Sequence, residues 1–240
     1  MPHLETQQKL RRVALERKPS RKPDAADRFG LWISTGRYFD GLWVGTTDSE
    51  PERSLRRVED ALRLIKQHNS LHYSRVIQNL ERVWVHLLPG YRAWYDASLG
   101  ACVLDERFVL LETTTLEEIA SSIVHEPTHA GLERWGIRYE EKERSRIEAV
   151  CLRRELNFIA TLPNSEPLRE EKVRTLEWCV GDHDYLSDVS FRQRYDQGHA
   201  ETLRYLGTPD WVIRFIFRVL PVIFAVRRLI RSFVGRQPQA

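Results

Sequence analysis

The chain has 240 residues, with 37 lysines and arginines against 34 aspartates and glutamates, and its net charge of +3 is too small to mark a nucleic-acid binder. Hydrophobic residues make up 42% and charged ones 30%, a mixture that can bury a core and that excludes a disordered or collagen-like chain. Three cysteines, Cys102, Cys151 and Cys179, are odd in number, far apart and not in metal-knuckle spacing, which excludes a disulfide scaffold and points to a reducing compartment.

Charge is unevenly distributed. Residues 1–30 carry a net +4 and residues 211–240 hold six arginines and no acid, so an acidic body lies between two basic ends. Residues 1–28, interrupted by Pro19 and Pro23 and lacking the apolar run of a secretory signal, read as a disordered or loosely helical arm. A main domain is expected over 29–208 and a separate apolar, arginine-rich segment over 209–240.

Ser49 and Glu52 have capping-box spacing, and Leu55, Val58, Leu62 and Ile65 then recur at helical intervals, which predicts a helix over about 51–67. Tyr73, Val76, Ile77 and Leu80 predict a second, shorter one. From Arg82 the pattern changes to short Val- and aromatic-rich runs, RVWVHL, YRAWYDA, ACVLD and FVLLE, expected to be strands of a small, largely antiparallel sheet. Thr115 and Glu118 open another helix with Leu116, Ile119, Ala120, Ile123 and Val124 on its apolar face, and Gly136 is its natural stop. Further helices are predicted over 139–161, 166–180 and 192–206. The fold class is therefore α+β.

The chemistry lies in the helix after the strands, which contains His125, Glu126, Pro127, Thr128 and His129. Histidines at i and i+4 lie on one helical face, so both rings can reach a single metal ion, and the glutamate beside the first points toward an open coordination position. A third ligand is needed from a following helix. Glu148 lies in the next predicted helix with 18 residues between it and His129; Glu155, two turns further along the same face, and Asp210, in a Gly-Thr-Pro-Asp segment, are rivals.

This HExxH sequence with its downstream glutamate resembles the zincin metallopeptidases, specifically the gluzincin group, over about residues 82–160. The upstream exopeptidase motif of the aminopeptidase branch is absent. It does not resemble a metzincin, because Leu132 stands where that pattern has glycine and Trp135 where it has a third histidine. The resemblance implies Zn2+ held by His125, His129 and Glu148, with Glu126 as the general base that takes a proton from a zinc-activated water. His183, Tyr185 and His199 are candidates to stabilise the oxyanion. Pro127 departs from this pattern. It has no N–H for the Ile123 carbonyl, at a cost of roughly 3 kcal/mol inside a helix, and it biases Glu126 away from helical geometry. A catalytically silent zinc-binding scaffold is therefore an alternative to the peptidase.

Residues 211–226 are the most apolar stretch but are too short, with Arg214, Arg218 and Pro221 inside, for the ~20 apolar residues of a membrane span. A broad apolar face followed by Arg227, Arg228 and Arg231 suits a helix over 211–234 lying on an anionic membrane surface, or one docked on the body. The expected partners are a peptide or protein substrate and such a surface, with no nucleic acid. The expected location is cytoplasmic, with possible peripheral attachment at the inner membrane; a membrane-surface adaptor is the third reading.

Overall fold

The computed structural model describes residues 22–181 and 184–219. It is an α+β fold in which helices cover a five-stranded mixed sheet. A helix α1 (Ala25–Ile33) leads into a hairpin of β1 (Thr35–Phe39) and β2 (Leu42–Thr46). Two helices follow, α2 (Pro51–His68) and α3 (Ser70–Asn79), and then β3 (Arg82–His86), β4 (Ala93–Asp96) and β5 (Ala101–Asp105). The rest is helical: α4 (Glu106–Leu110), α5 (Leu116–Arg134), α6 (Glu141–Ile159), α7 (Glu166–Gly181) and, after a 3-10 turn at Asp184–Leu186, α8 (Asp188–Tyr205).

The sheet departs from the sequence expectation in three places. Its three central strands are parallel, β2 to β3 and β3 to β5: α2 and α3 provide the crossover for the first pair, and the chain passes through the outer strand β4 between the second. Only the edges are antiparallel, β1 on β2 and β4 on β5. The β1–β2 hairpin was not anticipated at all; Asp40 and Gly41, both at positive φ, close it as a two-residue turn, and Asp40 accepts hydrogen bonds from Lys66 and the Tyr73 hydroxyl at 2.6 and 2.5 Å. The FVLLE run is not a strand. Asp105 accepts from the Arg107 N–H and caps the short α4, which buries Phe108 and Val109.

Strand alternation divides the core. Val83, Val85, Cys102 and Leu104 face a large cluster with Leu55, Val58, Leu62 and Ile65 of α2 and Ile119 and Ile123 of α5. Trp84, Ala101 and Val103 point the other way, toward Leu31 of α1. There the Trp84 ring leaves no room for a side chain at Gly30 and its Nε1–H donates to Ser34 at 3.0 Å. This two-sided burial explains why the central strands are nearly continuous apolar runs.

Both termini of α5 follow from local sequence. The Thr115 hydroxyl accepts the Glu118 N–H while the Glu118 carboxylate accepts the Thr115 N–H, the expected capping box. At the far end Gly136 takes φ +81°, with Gly136 N–H bonded to the Glu133 carbonyl and Ile137 N–H to the Leu132 carbonyl, a Schellman turn that directs the chain back into α6. The Ser49 box at α2 is not formed: Glu50 is the N-cap without a side-chain bond and Pro51 fills the first turn.

Residues 1–21, and with them most of the basic arm, lie outside the described residues, as do 220–240 and so most of the arginine-rich segment. Its start is helical over 210–219, with Ile213 buried and Trp211 and Phe215 exposed. Among the described residues no helix is long and apolar enough to cross a membrane.

Candidate metal centre

The α5 helix runs without interruption through Pro127, which is buried. The two histidines therefore remain one turn apart, their ring centroids 5.2 Å from each other. The Schellman turn brings α6 alongside, and Glu148 meets both rings: its Oε2 lies 3.2 Å from His125 Nε2 and its Oε1 3.6 Å from His129 Nε2. Tetrahedral ligands bound at 2.0–2.1 Å sit about 3.3 Å apart, close to these two nitrogen–oxygen spacings. All three keep about 15% side-chain exposure (15%, 15% and 16%), which leaves a route from solvent to an otherwise buried cluster.

The other carboxylate of α6 has a different place. Glu155 is 1% exposed; it accepts from the Ser121 hydroxyl at 2.6 Å, pairs with Lys172 of α7 at 2.8 Å, and lies 3.1 Å from His125 Nδ1. It thus holds the Nδ1 proton and turns Nε2 toward Glu148, the carboxylate–histidine arrangement found behind metal ligands. Burial alone raises the pKa of Glu155, but Lys172 and His125 bring it down to about 2. Glu148 behaves likewise: its burial is outweighed by His125, His129 and the Tyr139 hydroxyl, which donates at 2.5 Å, and its pKa falls to about 2. Two ionised carboxylates thus face imidazole nitrogens. His129 has its pKa lowered to about 4, chiefly by burial.

Glu126, 5% exposed, lies close enough to His125 to feel its charge. The backbone N–H of Tyr95 in the edge strand β4 donates to its carboxylate, while burial raises its pKa to about 7.

Tyr139, Lys172 and Cys151 are members of the centre that the sequence did not reveal. Tyr139 sits in the short link after Gly136, with its ring edge-on to His129 at 5.4 Å. Cys151, read only as an apolar position of its helix, places Sγ 3.6 Å from His129 Nε2. Donor atoms of His125, His129 and Cys151 all lie within 4.8 Å of one another, a group that could hold a metal ion.

The remaining candidates lie elsewhere. Asp210 is exposed and paired with Arg204 at 2.8 Å. Tyr185 packs against Trp178 and under the Arg194 guanidinium, and His199 packs edge-on against Tyr195; neither bonds to the two histidines. His183 falls outside the described residues. No family model matches the chain, and no similar curated protein or solved structure was found.

Proposed function

We propose that the protein is a zinc-dependent peptidase of the zincin type, with His125, His129 and Glu148 as ligands and Glu126 as general base. The observation that carries this reading is the convergence of two Nε2 atoms and one carboxylate, from two helices, at spacings that match a tetrahedral ion. Bound there, zinc supplies Lewis acidity that lowers the pKa of a water toward about 7.

The chain's own groups do the rest. Glu155 fixes the His125 tautomer, and Tyr139 holds Glu148. Glu126 shares the helix turn of the ligands, and burial has already raised its proton affinity. As a carboxylate beside a metal held by the histidines, Glu126 would accept a proton from water and return it to a leaving amine. A peptide substrate is what the resemblance to the zincin metallopeptidases implies.

Hydrolysis of an unfolded protein substrate by zinc-loaded wild type and by Glu126→Gln tests this reading. The variant is expected to keep fold and zinc and to lose activity by about 10²–10⁴-fold, because an amide cannot accept the proton. Equal rates for the two proteins would remove Glu126 from the mechanism.

A further inference from the structure

Two ligand sets overlap in this centre, and the overlap has a chemical meaning. Cys151 follows Glu148 by one helical turn, so both side chains project from the same face of α6. Cys151 is fully buried, whereas the three proposed ligands are each partly open to solvent. Its Sγ therefore approaches from the protein side, leaving the solvent side free.

The distance is informative. A tetrahedral ion with a nitrogen at about 2.05 Å and a thiolate sulfur at about 2.3 Å holds the two donors about 3.6 Å apart. Cys151 Sγ and His129 Nε2 are 3.6 Å apart, and His125 completes a group within 4.8 Å. The other two cysteines belong elsewhere: Cys102 to the core under the sheet and Cys179 to a cluster with Leu152 and Leu186.

Building on the zinc site proposed above, we infer that Cys151 is a fourth protein ligand beside His125 and His129, so that the resting centre is closed by a thiolate. As the sulfur–metal bond forms, the thiol S–H bond breaks and its proton leaves to solvent. One thiolate and one carboxylate then neutralise the charge of a divalent ion, weakening its pull on a water. Catalysis requires the thiolate to be displaced, or the ion to expand to five ligands through its solvent side. This reading reconciles a hydrolytic constellation with a fourth donor already in place.

The test is cobalt(II) substitution of the full chain, with binding stoichiometry measured by equilibrium dialysis. Wild type should bind one cobalt and show the intense near-ultraviolet thiolate-to-cobalt charge-transfer band; Cys151→Ser should lose the band, and Cys102→Ala should keep it. Stoichiometric cobalt without the band, or a band that survives Cys151→Ser, would overturn the fourth ligand while leaving the His–His–Glu site standing. Failure of wild type to bind cobalt would remove both. Should Cys151→Ser not fold, zinc-edge X-ray absorption on wild type decides the matter: one sulfur scatterer at about 2.3 Å is expected, and its absence contradicts the inference.

Discussion

Glu155→Ala is expected to destabilise the protein by about 3–5 kcal/mol, the usual cost of removing one partner from a buried ion pair. The loss is large because three groups depend on this carboxylate. Lys172, whose side chain is 18% exposed, would keep its charge without a counterion; the fully buried Ser121 hydroxyl would lose its acceptor, and His125 Nδ1 would be left without a partner. The same change frees the His125 ring to rotate, so zinc affinity should fall by about 10–100-fold as well. Glu155→Gln keeps the volume and one acceptor and should lie between wild type and alanine in both measurements. Urea unfolding together with competition against a zinc chelator reads the two effects separately. A stability change below about 0.5 kcal/mol would mean that Glu155 is not part of the centre's support.

The sequence carried the histidine-bearing helix well and the surrounding sheet less well, for identifiable physical reasons. α5 was legible because its apolar positions repeat at 3.6-residue spacing between two local stop signals, the Thr115–Glu118 box and Gly136, and all of that information is short-range. Glu148 was legible once a returning helix was assumed. The β1–β2 hairpin could have been found from Asp40-Gly41, a strong two-residue turn signal, but Thr35–Phe39 has no clear alternation to accompany it. The run from Phe108 was misread because four consecutive apolar residues fit a buried strand and a buried helical turn equally; the Asp105 cap decided it. Parallel pairing was invisible because it depends on a crossover rather than on strand composition.

Within the centre, what escaped notice was what only tertiary packing creates. Lys172 is one of many lysines and arginines on charged helices until α7 lies against α6 and brings it to Glu155. Cys151 was weighed against other cysteines, whereas its neighbours are histidines on a different helix. Pro127 carried a legible backbone penalty, yet packing holds the helix continuous through it, and the residue itself is buried in that packing.

The second large effect concerns zinc and stability together. A ligand that binds only the folded state stabilises it by about 4 kcal/mol at a thousandfold excess over its dissociation constant. For a chain of this size each kcal/mol moves Tm by roughly 2–4 °C, so zinc added to chelator-stripped wild type should raise Tm by roughly 10 °C. The His125→Ala, His129→Ala double variant removes both proposed imidazole ligands and should not respond to zinc. Its metal-free Tm should lie below that of stripped wild type, because Glu148 and Glu155 lose the imidazole partners of their buried charges. Scanning calorimetry with and without zinc measures both quantities, and an equal shift in the double variant would place the responsible ion at another site.

Elemental analysis of the purified wild-type chain bears most directly on the central claim that His125, His129 and Glu148 form a zinc centre. About one equivalent of zinc per chain is predicted, retained through gel filtration and absent from the double variant. Wild-type protein that is folded, contains no metal and takes up none when zinc is supplied would contradict it.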